Sequence, residues 1–301
     1  MTRLCAQVVV YAENTSIYAI ARFESFNYFS HQAYQGRKAR MRIIAIMNQK
    51  GGAGKTTTAV NLAAAMGEFE KRVLLVDLDP QHSASDWLVG RNGDSRDERG
   101  LYDCLVNNAT ITNHVSQTNV PGVALVPATD WLLGVDKALA REAGAEAILK
   151  ETLEELPENR WDFVLLDCPP SLGFLSVSAL VAADEVLVPV EAEYMALAGL
   201  ASLLRSIERV QRRLNPNLSL SSVLVCKVDS RKNLSKEVLS ALSGRFEGIL
   251  LESVVRDNVR LAEAPSFGEP ITTYASKSAG AADYRAVATE LLARYEKTGG
   301  Y

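Results

Sequence analysis

The segment Gln49, Lys50, Gly51, Gly52, Ala53, Gly54, Lys55, Thr56, Thr57 constrains what this chain can fold into more than any other. An apolar run, Ile43 to Met47, leads into it, and a helix-compatible stretch with Ala59, Leu62, Ala63 and Met66 follows. Glycines let the backbone curl and aim its N–H groups at one point. The start of the next helix adds its positive dipole end, so the turn forms a nest for a polyphosphate. Within it, Lys55 is placed to meet the β and γ phosphates and Thr56 to ligate Mg²⁺, while Gly51, Gly52, Ala53, Gly54 and Thr57 complete the cradle. The general pattern G-x-x-x-x-G-K-[ST] would have glycine at position 49. This chain has Gln49 there, with a second lysine, Lys50, directly after it.

The rest of the chain agrees with that loop. From Met41 onward, apolar runs of strand length alternate with helical stretches, which implies crossover units. The expected fold is α/β, a P-loop NTPase fold with a mainly parallel β-sheet flanked by helices on both faces. Strands are expected at 41–47, 73–76, 122–127, 163–166, 185–190, 222–225 and 249–255. Helices are expected at 56–68, 136–156, 196–214, 234–246 and 281–295, with a short one near 101–106. At 301 residues the chain can build one large α/β domain. Residues 41–301 are read as that domain. Residues 1–40 mix aromatic and polar side chains without a sustained period, and are expected to be a disordered tail or a misassigned start.

Composition narrows the function. A formal net charge of −4 gives no global basicity, so binding to nucleic acid needs a local patch. The four cysteines, Cys5, Cys104, Cys168 and Cys226, form no C-x-x-C pair, which argues against a zinc or iron–sulfur cage and fits a reducing cytosol. No apolar run approaches the roughly 18 residues of a membrane span, so a soluble, cytoplasmic protein is expected.

Ligands of open parallel sheets sit at the carboxyl ends of strands. Asp77 and Asp79 follow the second strand of the domain and Asp167 ends the 163–166 strand. Asp77 and Asp79 share one face if the extended conformation persists, and such a pair can serve a metal and a water. Asp167 stands where a Walker B aspartate holds Mg²⁺, and Asp79 is the candidate for orienting the attacking water.

The loop K-G-G-A-G-K-T-T resembles the deviant Walker A loop of the ParA/MinD group. The stretches K-R-V-L-L-V-D-L-D-P-Q (71–81), L-L-D-C-P-P-S-L-G (165–173), V-P-V-E-A-E (188–193) followed by Tyr194, and N-V-R-L-A-E-A-P (258–265) resemble the ParA/Soj partition ATPases. The resemblance spans about Met41 to Tyr295. It implies a Mg²⁺-dependent cytoplasmic ATPase that forms an ATP sandwich homodimer, binds double-stranded DNA without sequence preference in that state, and is stimulated by a ParB-type partner. It makes Lys50 the lysine that reaches the partner subunit's ATP, Lys55 and Thr56 the phosphate and Mg²⁺ residues, Asp79 the hydrolytic aspartate and Asn258 an adenine contact. The usual proline before that asparagine is missing, since the segment reads Arg256, Asp257, Asn258.

Basic residues cluster at Arg205, Arg209, Arg212 and Arg213, at i, i+4 spacing along one helix, and at Lys227, Arg231, Lys232 and Lys236. Arg231 matches a DNA-contacting arginine of the family and Lys277 lies in a segment similar to a basic one in relatives, whereas the family's helix arginine aligns with Glu208. The alternatives are a MinD-like ATPase acting at a membrane, which requires an amphipathic C-terminal helix, and a nucleotide-gated scaffold that positions protein clusters. No stable membrane association is expected.

Overall fold

The computed structural model describes residues 8–11, 18–21, 41–90, 99–193 and 196–297. The chain divides into two units, Met1–Ala33 and Tyr34–Tyr301. In the first, β1 (Val8–Tyr11) pairs antiparallel with β2 (Tyr18–Ala21), Val8 opposite Ala21. The remaining positions of residues 1–40, on which the expectation of a tail or misassigned start bears, lie outside the described residues.

The second unit is built on a seven-stranded sheet in the order β5-β6-β4-β7-β3-β8-β9. Its strands are β3 (Arg42–Ile46), β4 (Val73–Asp77), β5 (Ser116–Gln117), β6 (Val123–Val126), β7 (Phe163–Asp167), β8 (Glu185–Glu191) and β9 (Ser219–Cys226). All pairings are parallel except β5 on β6. Every residue of β3, β4 and β7 is buried, which is why these strands read as continuous apolar runs and not as alternating ones.

The helices are α1 (Lys55–Glu68), α2 (Ser83–Leu88), α3 (Leu101–Val106), α4 (Val135–Ala138), α5 (Ile148–Glu154), α6 (Phe174–Ala182), α7 (Ala196–Arg213), α8 (Asn233–Ser243), α9 (Val259–Glu263), α10 (Ile271–Tyr274) and α11 (Ala279–Lys297). On one face α1 packs against α10 and α11, where Leu62 and Met66 join Tyr284, Val287 and Leu291 in the core. On the other, α6 packs between α5 and α7. Close packing leaves no room at Gly67. A Cβ there would stand 2.2 Å from the Pro121 carbonyl oxygen, so Gly67→Ala should destabilise the fold by about 1–3 kcal/mol, measured as a lower urea midpoint with unchanged slope.

Two expectations are corrected and one helix was not anticipated. Residues 249–255 do not form a strand. They run beside β9, touching it as a bridge at Val223–Leu250, and a second isolated bridge, Val228–Arg256, lies just beyond both segments. The ladder cannot continue between them because the Glu252 and Ser253 N–H groups donate instead to the Glu290 carboxylate at 2.9 and 2.8 Å. The single helix over 136–156 is broken into α4, a 3₁₀ turn at Ala145–Ala147 and α5, with Gly144 in the left-handed region (φ 76°) at the break. Finally, α6 follows Pro169 and Pro170 with no sequence expectation. Seven of its nine residues are buried, so it carries no amphipathic period to be read.

Candidate functional site

β3 ends at Ile46 in the middle of the sheet, and the chain leaves it through Asn48, whose amide donates to the Pro189 carbonyl at 2.6 Å and whose Oδ1 accepts from the Lys50 N–H at 3.0 Å. Gly52 and Gly54 hold φ of 76° and 89°, a conformation side chains with a Cβ rarely adopt. Gly54 is the N-cap of α1, and no side chain caps that end. The first-turn N–H groups of a helix lack intrahelical acceptors, so the loop and helix start present donors to an anion.

Behind the loop lie Lys55 and three aspartates. Lys55 is buried, which lowers the pKa of its ammonium, while Asp167 and Asp79 pull it back up. Asp167 pairs in register with Ile46 on one side and Asp77 on the other, so it stands at the carboxyl edge directly beside the loop strand. It is fully buried, and among the described residues neither carboxylate oxygen has a hydrogen-bond partner. Burial and the neighbouring Asp77 push its pKa well above the carboxylate range, opposed by Lys55 and by the Thr56 hydroxyl, which stands near Asp167 without closing a hydrogen bond of full geometry. A buried acid whose oxygens close no hydrogen bond is expensive even with Lys55 nearby, and points to a further cation that completes it.

Asp77 and Asp79 do not share one face. β4 ends at Asp77, and the Asp79 N–H turns back onto Asp77 Oδ1 at 3.1 Å. Asp77 Oδ2 accepts from the Ser85 N–H and hydroxyl at 2.9 and 2.7 Å, so one oxygen holds the Asp79 turn and the other anchors α2. Burial raises its pKa to about 6 against the Ser85 hydrogen bonds. Asp79 is 7% exposed, and its Oδ1 accepts from the Gln81 N–H at 3.0 Å.

Among the described residues no three His, Cys, Asp or Glu side chains form a metal cage. The donor set instead suits Mg²⁺, which keeps waters and takes one or two protein oxygens plus phosphate oxygens. Thr56 and Asp167 fit that role. The arrangement can hold a polyphosphate on the loop, a hydrated divalent cation on Asp167, and a water near Asp79.

The other anticipated residues are spread over the rim. Lys50 is ion-paired to Glu191, the last residue of β8, and, at 2.6 Å, to Glu193 just beyond it. Asn258 caps α9, its Oδ1 accepting from the Arg260 N–H at 2.9 Å. It follows a segment tied to the end of β9 by the Asp257 N–H to Val228 carbonyl bond. Arg205, Arg209 and Arg212 are exposed along α7, with Arg212 paired to Glu208. Arg231 is exposed in the turn after β9, its Nε 2.9 Å from Asp229 Oδ1, and this pair holds the Asp229 pKa down at about 2. Lys277 is exposed between α10 and α11. The structure thus gathers the phosphate loop and aspartates at one place but leaves the basic residues as separate groups.

Sequence reasoning gave Glu191 and Glu193 no role and did not bring to them Lys227, whose Nζ is 2.6 Å from Glu191 Oε1. Two acidic residues at the end of a strand were the available signal. That β8 lies beside β3 was not.

Residues 41–220 match the family model described as AAA domain. The chain is 43% identical over 252 residues to the sporulation initiation inhibitor protein Soj of Bacillus subtilis, covering 84% of this chain and 98% of that one. It is 46% identical over 260 residues to the chromosome-partitioning ATPase Soj of Thermus thermophilus, covering 86% and 99%. This chain belongs to the ParA/Soj family. A solved structure of similar fold is a Mycobacterium smegmatis protein titled cobyrinic acid a,c-diamide synthase with bound ADP and magnesium. It has a TM-score of 0.73 and 36% identity, covering 86% of this chain and 96% of that one. The span of the family model, 41–220, takes in the loop, the aspartates and the end of β8.

Proposed function

We propose that this chain is a Mg²⁺-dependent partition ATPase. It binds ATP at the Lys50–Thr57 loop, pairs with a second copy of itself, and in that state holds double-stranded DNA without sequence preference. A ParB-type partner stimulates hydrolysis and with it release, in the cytoplasm and on the nucleoid. The observation that carries the reading is Asp167: a buried carboxylate with no hydrogen-bond partner among the described residues, in register with the strand that feeds the glycine loop. The names of the relatives, chromosome-partitioning ATPase among them, support the cargo as DNA.

Bound ATP and Mg²⁺ supply a polarised γ-phosphoryl group open to attack by water. Lys55 and the loop amides bind the β and γ phosphates and stabilise charge that grows in the transition state. Thr56 and Asp167 hold Mg²⁺. Asp77, engaged with Ser85, keeps α2 and the Asp79 turn in place and stands behind the metal site rather than in it. Asp79 orients the attacking water, Lys50 reaches the partner subunit's nucleotide, and Asn258 faces the adenine with its amide group.

A membrane-acting alternative is disfavoured by α11. Its apolar residues, Tyr284, Val287, Leu291, Leu292 and Tyr295, are buried in the core and are not free to lie on a bilayer. Among the described residues no helix is long and apolar enough to cross a membrane.

DNA binding titrated with ATP, ADP and no nucleotide, at two salt concentrations, tests the switch and the basic residues together. Binding is expected only with ATP and should weaken steeply with salt. Equal binding in all three states would refute the reading. Arg231→Ala should lower DNA affinity about tenfold and flatten the salt slope by about one unit per lost phosphate contact, leaving ATP affinity unchanged. An unaltered titration would remove Arg231 from the interface.

A further inference from the structure

The ion pairs over the glycine loop are shared rather than separate. Glu191 is almost wholly buried, with 9% of its side chain exposed, and its two oxygens each take one ammonium group. Oε1 holds Lys227 at 2.6 Å and Oε2 holds Lys50. Glu193 adds a second carboxylate to Lys50 at 2.6 Å. Lys227 reaches this position from an uncommon backbone conformation, φ 54°, at the carboxyl end of β9, where Val228 is at once tied to the Val255 carbonyl at 3.1 Å. Its Nζ stands 3.9 Å from where a Cβ on Gly52 would be, so the ammonium lies against the phosphate loop itself. Non-glycine residues held at positive φ concentrate where surrounding structure fixes them for a purpose.

A buried carboxylate that bridges two lysines beside an anion nest neutralises the charges an incoming anion would meet. We propose that Lys227 is a third phosphate-binding lysine of this site, and that Glu191 holds Lys227 and Lys50 together as an internal anion until nucleotide phosphates compete for them. The inference rests on the nucleotide reading above and adds a residue to it. Lys227 acts from within the same subunit, whereas Lys50 is free to reach a partner only after it leaves Glu191 and Glu193. Burial opposes ionisation of Glu191, but the two lysines hold its pKa below the usual range, so the carboxylate stays charged and competes. Glu191 and Glu193 in turn raise the Lys50 pKa, so the ammonium remains protonated throughout.

Calorimetric titration of the full chain with ATP and Mg²⁺ separates this from a purely structural ion pair. Four proteins are compared: wild type, Lys227→Met, Glu191→Gln and the double variant. Glu191→Gln is expected to bind ATP several-fold more tightly than wild type, its competitor gone. Lys227→Met should bind about tenfold more weakly, the scale of one hydrogen bond to a charged group. The double variant should be weaker than Glu191→Gln by the same factor. Equal affinity of the double variant and Glu191→Gln would overturn the proposal, because Lys227 then serves only to neutralise Glu191. Wild-type protein that takes up no ATP would overturn the nucleotide reading itself, an outcome distinct from ATP uptake that is indifferent to Lys227.

Discussion

Lys55→Ala is expected to abolish ATP binding and, with it, ATP-dependent pairing and DNA binding. Lys55 opens α1 at the point where Gly54 leaves the helix start uncapped, and its ammonium is buried facing Asp167 and Asp79. Burial has already removed the cost of desolvating it, so the site is organised before any ligand arrives. Losing two charge-assisted hydrogen bonds at about 1.5–3 kcal/mol each should weaken ATP binding by a factor of a hundred or more. Equilibrium dialysis with ATP and Mg²⁺ measures this directly, and an unchanged dissociation constant would contradict the loop assignment. Removing the ammonium also leaves Asp167 without a nearby cation. A urea titration run alongside separates lost binding from lost fold, and a midpoint close to wild type with no nucleotide uptake is the expected pair of results.

Asp79→Ala should have the opposite signature: ATP bound, turnover lost. The Asp79 carboxylate has one oxygen engaged by the Gln81 N–H and lies beyond the end of β4, so its removal breaks no sheet pairing. Positioned proton acceptors contribute about 10²- to 10⁴-fold to rate, and hydrolysis should fall on that scale. The variant should then accumulate as a DNA-bound dimer in ATP, seen as a shift that persists where the wild-type shift decays. Turnover at the wild-type rate would refute the role. The adjacent carboxylate makes a useful contrast, because Asp77 anchors α2 through Ser85, and changes there are expected to read out first in stability.

Much of this was legible in the amino-acid order because the signals are local. A loop of glycines between an apolar strand and a helix needs only about ten residues to be recognised, and β3, β4 and β7 are apolar throughout because both sheet faces are covered. Asp167 could be placed at a strand end by counting, and the amphipathic rows of α7 and α8 could be seen by period. The errors have equally physical causes. The 249–255 run looks like a strand, yet its ladder is interrupted by Glu290, a residue 37 positions from Ser253. α6 is buried nearly all round, so it lacks the one-sided pattern that marks a surface helix.

What the chain determined by itself is therefore a phosphate loop, its lysine and the strand-end acids, since each depends on residues next to one another. What only the tertiary structure decided is which acids remain open and which lysines stand together. Lys50 meets Glu191 across 141 positions, and Lys227 joins them because β8 lies between β3 and β9. Strand order is set by the packing of the whole core. No local preference encodes it, so the charge network over the loop exists only once the sheet has closed.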